Sequence, residues 1–365
     1  MVAASPPASA AKKAKKKKQV STKLAKKAKQ AKQAVKPASD NAEFVHFAQW
    51  TEVGEFIDMM ASKHGFDRQQ LTSTFDQTRY VETAIQLIKP APIDRPKNWK
   101  AYRARFVENV RINAGIAFWD ANIEALTRAE NQFGVPAEII VGLIGVETIY
   151  GRNTGSFRVM DALTTLAFAY PDTPTRLARM AFFRKELEQL LLLSRDTVFD
   201  PLSLKGSYAG AIGLPQFMPS SIKNYGVDFD HDGNVDLQAS PADAIGSVAN
   251  YLFLHGWKKG LPTAFPATLI NQDAENSAAK LDLMLSQGLK ASYSLDEIKS
   301  IATTASNDAP GHLKYGLVDL QNGNEATEYW LGTENFFSLT KYNRSYFYAM
   351  SVIDLGKVIA LARMK

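Results

Sequence analysis

No cysteine occurs in the 365 residues, which excludes a disulfide framework, a thiol nucleophile and a lipidated cysteine. No stretch reaches the roughly 18 consecutive apolar residues that a membrane-crossing helix needs. The first residues, Met1-Val-Ala-Ala-Ser-Pro-Pro, have no apolar core behind a basic segment, so no signal peptide is expected in them. Residues 1–39 contain no arginine and no acid, yet hold 12 of the 43 basic residues. The remainder carries 31 basic against 37 acidic residues, so the pI of 9.1 describes a tail and not a basic binding face. No specific nucleic-acid partner is expected of the body. The Lys/Ala-rich tail, 1–40, has no apolar period and is expected to be disordered, a solvated tether more than a patch for anionic polymers.

Beyond the tail the pattern is helical. Phe56, Ile57, Met60 and Ala61 recur at helical spacing, and Gly65 supplies a left-handed stop. Asp67 with Gln70 resembles a capping box. Prolines at 90, 92 and 96 mark an irregular link. One apolar stripe runs through Ala114–Phe133. Pro136 opens a helix, and further helices follow to Ser194 with a break at Tyr170–Pro174. Ser240-Pro241 starts a helix that ends at Gly256. After Gly260 the chain turns β-rich: Leu317–Leu320 and Thr327–Leu331 flank the hairpin dipeptide Asn322-Gly323. A turn at Gly332–Asn335 precedes Phe336–Leu339, read as part of the same small antiparallel sheet. The last helix spans about Tyr346–Ala362.

Four constellations carry chemistry. Glu147 is the one carboxylate between Glu138 and Asp161, and it ends the apolar run from Ile139. On a helix it shares a face with Ile140, Leu143 and Ile144. Burial there penalises the ionised form and raises the pKa, which is how a general acid for neutral pH is made. The segment Gly206–Ser221 places Ser207 and Gln216 in an apolar, glycine-rich setting suited to a ligand cleft or to a tight turn. Asp228, Asp230, Asp232, Gly233 and Asn234 fit the opening of a Ca²⁺ loop, with Asn234 giving its backbone carbonyl. Position 12 departs from that pattern, being Ala239. Asp243 is the substitute ligand, unless it serves the start of its own helix. Finally, Tyr342, Tyr346 and Tyr348 form an aromatic surface able to stack on sugar rings or to pack an interface.

Together Gly145-Val-Glu-Thr148, Asp161-Ala-Leu163, Gly206–Ser221, Ala244–Tyr251 and Tyr342-Asn343 resemble the lytic murein transglycosylase B family over residues 43–365. The resemblance implies a mainly α fold: a lysozyme-like helical core (116–258, with its Ca²⁺ loop at 228–243), an additional helical domain (41–115) and a small antiparallel β domain (259–340). The C-terminal helix, 345–365, would pack on the helical domain or on the core. It implies Glu147 as single catalytic acid and base, with Tyr102, Ser207, Gln216, Tyr342, Asn343 and Tyr348 binding substrate. Asp228, Asp230, Asp232, Asn234 and Asp243 would hold a structural Ca²⁺, with no organic cofactor. Extra residues near Pro171 leave the family's stem-peptide arginines without matched positions; Arg176 is the candidate.

The implied reaction cuts the β-1,4 bond between N-acetylmuramic acid and N-acetylglucosamine without water, leaving 1,6-anhydro ends. Peptidoglycan strands are the implied partner, with cell-wall synthesis proteins as possible further ones. A periplasmic monomer is implied, soluble because the family's lipid-anchor cysteine is missing. The motif segments offer no second catalytic carboxylate, which disfavours a two-carboxylate glycosidase. A hydrolytic muramidase and a non-catalytic wall-binding scaffold remain as alternatives.

Overall fold

The computed structural model describes residues 46–90, 96–197, 199–270, 275–286, 288–304 and 309–364. The expected basic tail lies outside them. His46–Lys365 forms one compact unit.

The fold is mainly helical with a small antiparallel sheet. At its centre lies the helix Ala137–Thr148, in which every residue from Ile139 to Val146 is buried. A helix apolar all round belongs in a core, and this one is enclosed by Asn109–Ala121, Ile123–Phe133, Pro241–Leu254 and Tyr346–Arg363. The approach of the C-terminal helix is set by glycine. A Cβ on Gly142 would lie 2.2 Å from the Val352 carbonyl oxygen, and one on Gly356 would lie 2.1 Å from that of Glu138. Any side chain at either position would push the two backbones apart. The C-terminal helix thus packs on Ala137–Thr148 and Asn109–Ala121.

The five-stranded sheet is antiparallel throughout, its strands lying side by side in the order Tyr293–Ser294, Lys314–Asn322, Glu325–Gly332, Ala264–Leu269 and Ala302–Thr304. Lys314–Asn322 and Glu325–Gly332 form its long hairpin, and Gly323 takes φ 63° in the turn. A separate apolar cluster, including Phe265, Ile298, Tyr315, Leu317 and Leu331, holds the sheet to its short helices. Asn322, buried at the hairpin end, accepts from Lys100 N at 2.9 Å and donates to Ala326 O at 3.2 Å. One side chain therefore pins the sheet to the helix Trp99–Arg103, which carries Tyr102.

Two local expectations differ. Phe336–Leu339 is not a strand but lies inside the helix Glu334–Tyr342, capped by the Thr333 hydroxyl, which accepts from Asn335 N at 3.2 Å. A four-residue apolar run does not by itself distinguish strand from buried helix. The stripe Ala114–Phe133 is two helices, broken at Asn122, whose amide donates to Phe118 O at 2.8 Å. That local bond offers the chain an alternative to continuing the helix.

Candidate active site

Glu147 occupies the last turn of the central helix, half-buried where the rest of the helix is enclosed. The Tyr348 hydroxyl donates to its Oε1 at 2.6 Å. This contact follows from the glycine-mediated helix approach, which brings the first turn of Tyr346–Arg363 onto the end of Ala137–Thr148. Desolvation pushes the Glu147 pKa up to about 7, and the Tyr348 hydrogen bond opposes that rise. No other acidic residue contributes to the shift.

Around it stand tyrosines. Tyr348 and Tyr342 stack with ring centroids 6.3 Å apart at 11°. Burial raises both phenols well above their ordinary pKa, and the charge of Glu147 adds to this. They remain neutral donors through the neutral pH range. The Tyr342 hydroxyl donates to Pro215 O, tying the C-terminal motif to the Gly206–Ser221 segment. Tyr102 faces the same carboxylate: burial raises its pKa first, Arg105 opposes, and Glu147 adds. Tyr102, Tyr342, Tyr348 and Glu147 are therefore brought together. Asn343 is exposed beside Tyr342.

Ser207 and Gln216 shape their own loop. Ser207 Oγ accepts from Ala211 N at 3.0 Å and Ala209 N at 3.3 Å. Gln216 has φ 53° and donates its amide to Gly213 O at 2.9 Å and Thr154 O at 3.1 Å. Its side-chain carbonyl accepts no hydrogen bond among the described residues. Arg176 donates Nε to Tyr170 O at 2.9 Å, serving its local turn.

Four residues contribute that the sequence alone does not single out. Thr148, fully buried, donates to Leu214 O at 2.9 Å and accepts from Gly151 N at 3.0 Å, fixing the helix end to the cleft loop. Ile149 and Tyr150 then take φ 54° and 56°. A left-handed β-branched residue is strained, and nothing in the residue type signals it. Tyr251 packs edge-on against Tyr342 at 4.8 Å and donates to Lys341 O at 2.9 Å. Tyr251 closes the motif Ala244–Tyr251, and its hydroxyl is the signal the sequence offers.

In the loop, Asp228, Asp230 and Asp232 bring one carboxylate oxygen each within 4.8 Å of the others. Among the described residues none of the three forms an ion pair. His231 and Gly233, at φ 64° and 95°, make the sharp turn that gathers them. Asp228 accepts from Gly233 N at 2.9 Å, and Ser240 donates to Asp230 at 2.6 Å. Converging, unpaired oxygen ligands suit a hard cation. Asp243 stands outside that group. It is buried, and its oxygens accept from Phe229 N at 2.7 Å and Asp236 N at 2.8 Å, bracing the loop from within. Asn234 donates its backbone N–H to Asp232 at 2.8 Å.

Residues 46–357 match the Transglycosylase SLT domain family. The chain is 42% identical over 327 residues to the membrane-bound lytic murein transglycosylase B of Escherichia coli K12, covering 87% of this chain and 85% of that one. Among solved structures it resembles the soluble lytic transglycosylase SltB1 of Pseudomonas aeruginosa (45% identity, TM-score 0.76, 86% of this chain and 100% of that one). It equally resembles Escherichia coli Slt35 solved in complex with calcium (40% identity, TM-score 0.76, 91% of this chain and 100% of that one). The chain belongs to the transglycosylase SLT-domain family, and it is a lytic murein transglycosylase, an enzyme that acts on peptidoglycan.

Proposed function

We propose that the enzyme cleaves the β-1,4 bond between N-acetylmuramic acid and N-acetylglucosamine without water, with Glu147 as sole acid and base. The observation that carries this reading is the half-buried Glu147 carboxylate, whose desolvation pushes its pKa up to about 7. A retaining glycosidase needs a second carboxylate at about 5–5.5 Å, and an inverting one at about 6.5–9.5 Å. Among the described residues no second carboxylate contributes to the Glu147 pKa shift, which fits a one-carboxylate route.

Protonated Glu147 gives its proton to the glycosidic oxygen as the C1–O4 bond breaks. The substrate's N-acetyl oxygen stabilises C1. Ionised Glu147, steadied by the Tyr348 hydroxyl, then takes the proton of the C6 hydroxyl as O6 bonds to C1. The proton returns to Glu147 and the product carries a 1,6-anhydro ring. Tyr102 and Tyr342 supply faces for the sugars. The Gln216 carbonyl and the Ser207 O–H orient the N-acetyl sugar, since their remaining atoms are committed to the loop. Asn343 lies at the rim.

The loop is proposed to hold one Ca²⁺ through Asp228, Asp230, Asp232 and the Asn234 carbonyl, with Asp243 in support. The cation would neutralise the crowded carboxylates and stiffen the entry to the helix Pro241–Leu254; it takes no part in bond cleavage. Slt35 has been solved with calcium, which supports the assignment. A periplasmic location follows from the substrate. Digestion of purified sacculi with mass analysis of released muropeptides tests the reaction. Anhydro ends, one water lighter than reducing ends, are expected; reducing ends would make the enzyme a hydrolase.

A further inference from the structure

A groove of about 1070 Å³ lies between the helix Arg68–Asp76 and the end of the helix Arg176–Thr197, and it shares no lining residue with the cleft. Small-ligand pockets span roughly 300–1,000 Å³, so this one has room for a chain segment and not only for a single ring. One wall is written in the sequence. Gln70, Ser73, Thr74 and Gln77 recur at i, i+3, i+4 and i+7, the spacing of one helix face, and all four line the groove. The stripe carries amides and hydroxyls and no charge. Among the described residues the side chains of Gln69, Gln70 and Ser73 form no hydrogen bond. Phe66, Leu71, Leu191, Phe199 and Leu202 give the apolar lining, with both phenylalanine rings half-buried.

The charged groups of the lining are already committed. Asp67 accepts from Gln70 N at 2.6 Å as the cap of its helix, and Asp200 accepts from Leu202 N at 2.8 Å. Arg195 pairs with Asp196 at 3.0 Å, donates to His64 O at 2.9 Å and lies over the Phe66 ring at 5.1 Å. Contacts behind the lining hold both walls in place: His64 meets Glu188 at 2.7 Å, and the Ser194 hydroxyl donates to Phe199 O at 2.5 Å. A nucleic acid would call for uncommitted cations, which this lining lacks. Aromatic faces beside unanswered amides and hydroxyls, with no unanswered charge, are complementary to a neutral polymer whose rings carry hydroxyl and acetamido groups. The groove also adjoins the cleft along the chain. Soon after Leu202, Lys205-Gly206 pairs with Phe157-Arg158 and leads into Ser207, and Arg158 donates to Gln77 O.

Resting on the murein reading above, we infer that this groove is an accessory glycan site, which holds a stretch of N-acetylated sugar chain apart from the one being cut. Gln69, Gln70 and Ser73 bond the acetamido and hydroxyl groups, and Phe66 and Phe199 take the apolar faces of the rings. Two points of attachment keep the enzyme on polymeric murein, whereas a short fragment in the cleft gains nothing from the groove.

The test compares Gln70→Ala/Ser73→Ala with the parent. Both positions are exposed on a helix, where alanine is well tolerated, so the fold is kept. On small soluble muropeptides kcat and KM should match the parent. On purified sacculi KM should rise about tenfold, as expected when hydrogen bonds to neutral groups are lost. Hydrogen exchange on the Glu147→Gln protein, with peptide-free murein strands as probe, reads the two sites separately. Protection is expected at Arg68–Asp76 and Phe199–Leu202 as well as in the cleft. It should persist at raised salt, and the double substitution should erase it in the groove alone. Protection confined to the cleft overturns the inference, as does a KM on sacculi that the substitutions leave unchanged. Groove protection that salt removes overturns it too, because the recognition would then be ionic. Equal weakening on fragments and sacculi also overturns it, since the two residues would then act through the cleft. Product masses from the wild-type digest read the reaction separately, so failure of one reading is visible without the other.

Discussion

In the cleft one carboxylate stands among tyrosines, and desolvation holds its proton to about pH 7. In the aspartate loop three carboxylates crowd within 4.8 Å of one another at or near the surface. There the Asp230 pKa is lowered, chiefly by the Ser240 hydroxyl that donates to it. The same functional group is thus prepared for opposite tasks. Burial without a cation penalises charge and makes a proton carrier. Exposure with donors at hand keeps charge in place, and three charges so close suit the Ca²⁺ ion proposed above. Neither outcome is written in the residue type; both are written in what the backbone brings near it.

The sharpest way to break this contrast is Glu147→Gln. The amide keeps the shape and cannot cycle a proton, so release of anhydro-muropeptides should fall on the order of 10²-fold or more. Activity within about threefold of wild type would remove Glu147 from the mechanism. Next in size is Tyr348→Phe. The lost hydroxyl removes a bond that favours the ionised carboxylate. The Glu147 pKa should rise above 7, and the alkaline limb of the kcat/KM profile should move up with it, while the maximal rate falls about tenfold. A limb that moves down would contradict the assigned direction.

Stability separates the two regions further. The Glu147 pKa is raised in the fold from 4.5 to about 7, so its penalty is absent below pH 4.5, grows between the two values and is complete above 7. At pH 8 Glu147→Gln should therefore raise Tm. The gain is at most about 3 kcal/mol for a shift of this size, and less because the group is only half-buried. Asp230→Ala should do the reverse in the presence of Ca²⁺, losing most of the stabilisation that binding confers, about 2.7 kcal/mol at a hundredfold excess over Kd. In chelator the same substitution should cost a little stability, because the bonds that Asp230 accepts from the Ser240 hydroxyl and the Asp232 N–H are lost. A Ca²⁺ titration of wild type with no heat and no Tm shift would refute the site.

Much of this was legible in the chain. The helix Ala137–Thr148 and the stop at Gly256 follow from apolar run and glycine alone. The hairpin about Asn322-Gly323 follows from turn chemistry, although Asn322 proved to be a buried anchor as well. What escaped was long-range. No local pattern tells that Gly142 and Gly356 let two helices touch, yet that contact delivers Tyr348 to Glu147 across 201 residues. The apolar pattern of Phe336–Leu339 reads as strand, because the Thr333 cap that starts its helix is a single ordinary threonine. By sequence Ser207 and Gln216 suit a ligand cleft or a tight turn, and only the fold shows that the Ser207 oxygen accepts two loop N–H groups while the Gln216 amide donates to two loop carbonyls.

The smallest expected effect discriminates between side chain and backbone in the loop. Asn234 is assigned through its carbonyl oxygen, and the contact seen for it is its N–H to Asp232 at 2.8 Å. Asn234→Ala keeps both atoms. Its Ca²⁺ affinity should stay within about threefold of wild type, whereas Asp232→Ala, which deletes a converging charge, should lose more than tenfold. Calorimetric titration of the two variants under one buffer gives the ratio directly. If Asn234→Ala loses as much as Asp232→Ala, the amide itself reaches the ion. The loop would then differ in ligand order from the pattern by which it was recognised, and the three aspartates alone would not account for the site.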